Sequence, residues 1–285
     1  MPYTQPFTIL NYDCDAYGHL RTSAYLSLLE ESDHAAMSAL GLSPAEPALS
    51  WLPRRIEVEF LAPLLPNELA WAHTRLAGCD GQLSRREYAL QAEGKAQPAC
   101  LAALDWGLYD QNSQNFVPIP NYLLHKIKQG VELDTQPGET PFPALATPPS
   151  GALTLDWQVS WGETGQGYRL TNRALIDRLI ESGLQSGERY RWTLRQAQEQ
   201  GVVFVARKLW LEIEQPAVYA DLLRVTTWLT QLKRSTVVRQ YRVQRARDGE
   251  PVARAQTLWV YLDLQTTRPI RIPPDFADAW REHLV

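Results

Sequence analysis

The chain has little sulfur and no long apolar run. Three cysteines, Cys14, Cys79 and Cys100, and two methionines stand among 285 residues. An odd number of thiols at no metal-ligand spacing argues against a disulfide framework and suits a reducing compartment. No stretch approaches the ~20 apolar residues of a membrane helix, and Met1-Pro-Tyr-Thr-Gln-Pro-Phe7 lacks the basic and apolar blocks of a secretory leader. The expectation is a soluble cytoplasmic protein that engages no membrane and no metal. Dense basic patches are missing too: Lys233-Arg234 and Arg245-Ala-Arg247 are too sparse, and too far from stacking platforms, for a nucleic-acid surface.

What is present is one pattern written twice. Ala24-Tyr-Leu-Ser-Leu-Leu-Glu-Glu-Ser32, Ile56-Glu-Val-Glu-Phe-Leu-Ala-Pro63 and Trp106-Gly-Leu-Tyr-Asp110 with Ile119-Pro120 form the first copy. Ala174-Leu-Ile-Asp-Arg-Leu-Ile-Glu-Ser182, Leu209-Trp-Leu-Glu-Ile-Glu-Gln-Pro216 and Trp259-Val-Tyr-Leu-Asp263 with Ile272-Pro273 form the second. The separation is 150 residues at the first segment and 153 at the later two, so three inserted residues account for the whole register. Duplication frees one copy to lose a function that the other keeps.

Between the copies, residues 126–151 collect five prolines with Gly130, Gly138, Ser150 and Gly151, a composition that predicts an extended linker rather than a helix. Domains over 1–125 and 152–285 follow. The net charge of −4 hides an asymmetry: residues 1–149 carry 9 Lys+Arg against 17 Asp+Glu, and residues 150–285 carry 19 against 15. One half is acidic and the other mildly basic, a balance compatible with an anionic small ligand or an acidic partner.

Within each copy the periodicity is clear. Tyr25, Leu28, Leu29, Ser32, Ala35, Ala36, Ala39 and Leu40 fall at helical spacing and stop at Gly41, and Ile176, Leu179, Ile180, Gly183 and Leu184 repeat the stripe. Period-2 alternation follows at Ile56, Val58 and Phe60 and at Leu209, Leu211 and Ile213. Further strands are expected near 69–76, 83–92 and 99–109, with counterparts near 223–232, 236–246 and 252–262. One helix with several antiparallel strands per copy predicts an α+β fold.

Chemistry concentrates upstream of the first helix, in Asn11-Tyr-Asp-Cys-Asp-Ala-Tyr-Gly-His-Leu-Arg-Thr-Ser-Ala-Tyr25. Gly18 permits a tight bend, which would bring Asp15 toward the helix start. The free N–H groups there, around Thr22 and Ser23, suit developing negative charge on a carbonyl oxygen. By themselves Asp13 and Asp15 also suit plain turns, His19 a loop, and Thr22 or Ser23 a helix cap.

The string Asp13-Cys-Asp15-Ala-Tyr-Gly18-His19-Leu, with Tyr25 and then Glu30 on the helix, resembles hotdog-fold thioesterases of the 4-hydroxybenzoyl-CoA thioesterase type. Pro63-Leu-Leu-Pro-Asn-Glu-Leu69, Pro216-Ala-Val-Tyr-Ala-Asp-Leu222 and Asp263-Leu-Gln-Thr-Thr-Arg-Pro-Ile-Arg-Ile-Pro273 extend the likeness over nearly the whole chain outside the linker. The resemblance implies two tandem hotdog domains, each an antiparallel sheet wrapped around one helix. They would pair as an intramolecular hotdog dimer, as in acyl-ACP thioesterases. It implies hydrolysis of an acyl-CoA or acyl-carrier-protein thioester by Asp15, as nucleophile or general base, at the interface of the repeats. His19, Asp13 and Glu30 would orient the site, and no cofactor is needed beyond the CoA or phosphopantetheine of the substrate. Arg207, Lys208, Lys233 and Arg234 are candidates for its phosphates. Association of two double-hotdog chains into a homo-oligomer is compatible with this reading.

Two departures stand out. Arg21-Thr22 replaces the family's Asn-Asn after Gly-His, and in Trp161-Gly-Glu-Thr-Gly-Gln-Gly-Tyr168 Glu163 stands at the place of Asp13 while Gly165 replaces Asp15. The second copy is therefore expected to lack its own catalytic centre, unless Glu163 or Glu181 serves. The rival from another class is a non-catalytic hotdog protein that binds an acyl thioester or acts as a scaffold. A hotdog dehydratase is weaker, because no catalytic His-Glu pairing spans the two copies.

Overall fold

Residues 3–130, 134–137, 141–281 and 284 are described by the computed structural model. The chain divides into two compact units, Met1–Phe142 and Pro143–Val285.

In the first unit, β1 (Tyr3–Thr8) leads through a short 3-10 turn, Asn11–Asp13, to α1 (Thr22–Ala39). Then come β2 (Leu49–Phe60), β3 (Leu69–Cys79), β4 (Leu83–Ala92), β5 (Cys100–Asp110), the short β6 (Asn115–Val117) and α2 (Asn121–Gly130). The strands run antiparallel in the order β1-β3-β4-β5-β2, with β6 added to β5. Strict alternation of burial along β4 shows one face turned inward. That face carries Ser84, Arg86, Tyr88 and Leu90, and α1 lies on it: Ser32 meets Thr74 of β3 at 2.7 Å between hydroxyl oxygens. The buried stripe is Tyr25, Leu26, Leu29, Ser32, Asp33, Ala36 and Met37; it shares Tyr25, Leu29, Ser32 and Ala36 with the predicted one but is turned toward Leu26, Asp33 and Met37, leaving Ala39 and Leu40 exposed. The helix ends at a left-handed Gly41, φ 65°, a conformation open to glycine without a Cβ penalty.

The second unit repeats this plan. β7 (Leu153–Gln158), a 3-10 turn at Trp161–Glu163, α3 (Asn172–Arg189), the small α4 (Leu194–Glu199), β8 (Val202–Ile213), β9 (Leu222–Leu232), β10 (Thr236–Arg245), β11 (Pro251–Asp263) and α5 (Pro274–Trp280) follow in order. The strand order is β7-β9-β10-β11-β8. The two central helices are 18 residues each, and the bulge in β2 at Arg54 recurs in β8 at Arg207. The inserted residues fall where α4 stands, between α3 and β8. Thr193 and Gln196 close a reciprocal capping box there.

Two expectations about the intervening segment change. Helix α2 continues to Gly130, so its last five residues occupy what the prolines marked as linker; the prolines begin only at Pro137. Next, the backbone N–H groups of Asp134 and Thr135 both donate to Ala77 O at 3.1 Å, and Asp134 pairs with Arg75 at 2.7 Å. Gly78 makes this possible, since a Cβ there would lie 2.2 Å from the Thr135 carbonyl oxygen. Further on, Gln240 of the second unit accepts from Ala146 N at 2.8 Å and donates to Ala144 O at 3.0 Å. Residues 141–149 form no helix or strand, and the described part of the segment is hydrogen-bonded at both ends.

Candidate active site

The loop between β1 and α1 is built from backbone. Asp13 N and Cys14 N donate to Leu10 O and Asn11 O, at 3.0 and 3.2 Å, to close the 3-10 turn. Asp15 N donates to His19 O at 2.8 Å, and Gly18 N donates to Asp15 O at 3.1 Å, with Gly18 at φ 75°. Arg21 N then donates to Asp13 O at 2.9 Å, and the Arg21 Nε–H donates to Cys14 O at 2.9 Å. These bonds bring Asp13, Asp15, His19 and the start of α1 together.

The Asp15 carboxylate is exposed and half engaged. Its Oδ1 accepts the N–H groups of Tyr17 at 2.9 Å and His19 at 3.1 Å, whereas Oδ2 takes no hydrogen bond among the described residues. Its charge is felt nearby. The Cys14 thiol is pushed up by burial and then by Asp15 and Asp13, and the Tyr17 hydroxyl by burial and then by Asp15.

Helix α1 starts without a side-chain cap. Ala24 N and Tyr25 N donate to Arg21 O, at 2.9 and 3.2 Å, which leaves the N–H groups of Thr22 and Ser23 without acceptors among the described residues. The Ser23 hydroxyl is fully buried and likewise unpartnered. Glu30 is on the same helix, but eight residues of rise, about 12 Å, separate it from Thr22. It therefore does not stand at the helix start. Tyr25 fixes the helix from below: its hydroxyl donates to Ala62 O at 3.2 Å and accepts from Leu64 N at 3.1 Å.

The second unit contains the same loop with different side chains. Gly165 N donates to Arg169 O at 2.8 Å, Tyr168 N to Gly165 O at 3.1 Å, and Thr171 N to Glu163 O at 3.0 Å. Each bond matches one of the first unit within 0.1 Å, and Tyr168 takes the left-handed position of Gly18 at φ 58°. This loop therefore needs no carboxylate at the position of Asp15. With glycine there the same three bonds form, and the next turn differs: Gly167 is left-handed at φ 70°, whereas Tyr17, whose N–H the Asp15 carboxylate accepts, is not.

What the second unit does with its side chains is structural. Glu163 accepts from Ser160 N at 2.8 Å and pairs with Arg178 at 2.5 Å. Burial opposes its ionisation, but these hydrogen bonds and the Arg178 charge prevail and hold its carboxyl below the ordinary glutamate value. Thr171 caps α3, accepting from Ala174 N at 3.2 Å, and its methyl lies 3.2 Å from where a Cβ on Gly165 would sit. Glu181 accepts from Gln185 on the exposed face of α3.

The basic candidates do not form one cluster. Arg207 and Lys208 lie in mid-β8, whereas Lys233 and Arg234 form the exposed β9–β10 turn. Trp259 of β11 aligns with Ala206 of β8, and Val237 of β10 with Leu232 of β9. Three strand spacings, about 14 Å, thus separate the pairs.

Sequence reasoning missed a buried polar network under α1. Asp33, wholly buried, accepts from the Tyr88 hydroxyl at 2.6 Å and pairs with the guanidinium of Arg86. Trp106 Nε1 donates to the Tyr88 hydroxyl at 2.8 Å, and the Arg86 guanidinium stacks over Trp51 and Trp106 at 4.6 and 4.9 Å. Burial pulls the Asp33 carboxyl upward against the opposing charge of Arg86. The signal was present in the sequence: Arg86-Glu-Tyr88 on the inward face of a strand recurs as Arg239-Gln-Tyr241.

Among the described residues no group of three or more His, Cys, Asp or Glu is placed to hold a metal, and no helix is long and apolar enough to cross a membrane.

Comparison with known proteins places this architecture. Residues 154–280 match the N-terminal domain of the acyl-ACP thioesterase family; that N-terminal domain falls here on the second unit. An acyl-[acyl-carrier-protein] hydrolase, FATB3 of Cuphea viscosissima chloroplasts, is 24% identical over 74 residues, which is 26% of this chain. The match spans only 18% of that relative's length. Among solved structures, a Lactobacillus plantarum protein provisionally named an oleoyl thioesterase superposes with a TM-score of 0.76 at 14% identity, covering 91% of this chain and 96% of the other. The 12:0-ACP thioesterase of Umbellularia californica gives 0.74 at 14% identity, covering 90% and 93%. The expected fold is shown: the chain has the tandem hotdog architecture of acyl-ACP thioesterases, of α+β class with antiparallel sheets.

Proposed function

We propose that this protein is a thioesterase that hydrolyses an acyl-ACP or acyl-CoA thioester, with Asp15 as the acting carboxylate. The observation that carries the reading is the comparison of the two loops. Both close with the same three backbone hydrogen bonds, and only the first has at this position a carboxylate with one oxygen anchored and the other unengaged. The acyl-ACP thioesterase match in the second unit and the whole-chain likeness to such enzymes support the substrate class.

In this reading Asp15 Oδ2 takes a proton from water as the water oxygen attacks the thioester carbonyl carbon. The developing oxyanion meets the free N–H groups of Thr22 and Ser23. Collapse of the tetrahedral adduct breaks the C–S bond, and the departing thiolate recovers the proton from Asp15. Direct attack by Oδ2, with a mixed anhydride that water then opens, uses the same residue. Turnover in ¹⁸O-water distinguishes the routes, since only the anhydride route labels the Asp15 side chain. His19 and Asp13 act on the loop through their backbone groups, as positioning residues. Arg207 with Lys208, and separately Lys233 with Arg234, are two candidate sources of positive charge for a pantetheine phosphate or an acidic carrier. The metal-free chemistry of this scheme is part of the proposal.

The test is thiol release from a panel of acyl-ACP and acyl-CoA substrates by the wild-type chain and by Asp15→Asn. Release by the first and not by the second is expected. Binding without release by wild type would move the assignment to the non-catalytic hotdog alternative.

A further inference from the structure

The two copies differ at a second buried position, under the central helix and away from the loops. Gly183 of α3 stands where Asp33 stands in α1, and its surroundings confirm the equivalence. A Cβ on Gly183 would lie 3.3 Å from both Arg239 Cδ and the Tyr241 hydroxyl, the counterparts of the two groups that bind Asp33. The strand registers agree residue for residue: Tyr88 faces Thr74, and Tyr241 faces Thr227.

The second unit thus keeps the cation and loses its counter-charge. Arg239 makes one hydrogen bond among the described residues, from Nη1 to the Thr227 hydroxyl at 3.2 Å, and stacks on Trp280 at 5.2 Å. No carboxylate pairs with it among the described residues. Beside it is a further donor in want of an acceptor: the indole N–H of Trp280 is buried and unpartnered among the described residues. The Tyr241 hydroxyl lies near Thr257 and Trp259 but holds no hydrogen bond of good geometry. Burial drives the Arg239 guanidinium below the ordinary arginine range, as expected of a cation removed from water without an anion.

Leaving one partner of a buried ion pair unmatched costs several kcal/mol in general, so an uncompensated arginine retained in a core calls for an anion from elsewhere. Two features indicate its kind. Arg239 retains 7% of its surface, whereas Arg86 retains none, so it is the less completely buried of the two. The rest of the neighbourhood is aromatic and partly open: Tyr190, Trp192, Phe204 and Trp259 are half-buried and pack on the Phe276 and Trp280 cluster.

We infer that the core of the second unit is a binding site for an amphiphilic monocarboxylate, its carboxylate on Arg239 in the place that Asp33 fills in the first unit, its apolar body against the half-buried aromatics. The inference stands apart from the role of Asp15, since no residue of the β1–α1 loop takes part.

Octanoate and 1-octanol, matched in length, are the probes, and calorimetric titration with thermal unfolding of the full chain is the readout. Octanoate should bind and raise the melting temperature, with 1-octanol at least tenfold weaker. Gly183→Asp supplies the missing carboxylate from within. It should melt higher than wild type without ligand and lose at least tenfold in octanoate affinity, while thiol release from acyl thioesters stays unchanged. Arg239→Met should also lose octanoate binding. Equal responses to octanoate and 1-octanol in the wild-type chain overturn the inference, as does undiminished octanoate binding by Gly183→Asp, which would place the anion elsewhere. Absence of thioesterase activity in the wild type would bear on Asp15 alone.

Discussion

Asp15→Asn separates chemistry from structure more cleanly than any other substitution in this chain. The Asp15 Oδ1 accepts two N–H groups, from Tyr17 and His19, and an asparagine carbonyl oxygen accepts the same two. What changes is the charge of those bonds and the basicity of Oδ2. A hydrogen bond to a charged acceptor is worth about 1.5–3 kcal/mol and a neutral one about 0.5–1.5 kcal/mol; on an exposed loop the loss should be near the small end, about 1 kcal/mol in all. The backbone bonds of the loop also survive, as the glycine-bearing copy demonstrates. For a unit of this size about 1 kcal/mol corresponds to ~2–4 °C in melting temperature. Removing the general base or nucleophile should lower kcat by about 10²–10⁴-fold. The assay is thiol release from acyl-ACP under saturating substrate, beside a thermal melt of the same preparation. Activity within tenfold of wild type would refute the assignment. So would a melting loss near 10 °C, because the carboxylate would then be serving the loop after all.

Three other perturbations follow from the same structure. Asp33→Ala leaves Arg86 buried without its carboxylate and should cost about 3–5 kcal/mol, read from urea unfolding of the full chain; a loss below 1 kcal/mol would mean the network contributes little. Glu163→Gln removes the charge that pairs with Arg178 and caps the 3-10 turn, for a loss of about 1 kcal/mol at neutral pH. Because the folded-state value of Glu163 is depressed, its contribution is complete above the ordinary glutamate value and is lost as pH falls through the depressed one. The difference between variant and wild type should therefore shrink on acidification below about 4.5 and not on alkalinisation. Of the three thiols, Cys100 is buried and pushed up to about 12 and Cys14 is buried, whereas Cys79 is half-exposed. A thiol reagent at pH 8 should label Cys79 first and the other two only on unfolding.

The internal repeat made much of this legible in advance. Period-2 and helical spacing located β3, β4, β5 and α1 and their counterparts to within a few residues, because each element has one face inward and the chain must alternate accordingly. The loop was legible through Gly18 and the spacing of Asp13, Asp15 and His19. Other features were not, and for a common reason: they depend on what a side chain meets across the fold. Prolines at 137–149 argued against helix throughout the segment, yet α2 runs to Gly130 because Leu123 and Ile127 are buried in the first unit. Arg86 is inward on β4, which a charge pattern alone would place in solvent; the carboxylate from α1, the Ser84 hydroxyl and two indole faces make that position tolerable. Asp33 likewise reads as one more polar residue on a helix until its partners are known.

The copies share their strand registers and the loop's closing bonds, and this bears on how the duplication was used. Backbone hydrogen bonds of the β1–α1 loop and registers across β3, β4 and β5 recur in the second unit, so most of the scaffold is kept where the chemistry differs. Both losses are aspartate to glycine, at Gly165 and Gly183, and their consequences are opposite. At Gly165 the exposed carboxylate goes while the Thr171 cap closes the helix start, which removes a reactive group without creating a deficit. At Gly183 the buried carboxylate is absent while the arginine is present, which creates a deficit that no described residue fills. If the second unit were only a structural partner, the first change would suffice, and replacement of Arg239 by an apolar residue would be neutral or stabilising, as it often is for buried charges. Arg239→Met therefore tests the retention directly: a melting temperature equal to or above that of wild type, together with lost octanoate binding, marks an arginine kept for its ligand. A large loss of stability with octanoate binding intact would mark one kept for the fold.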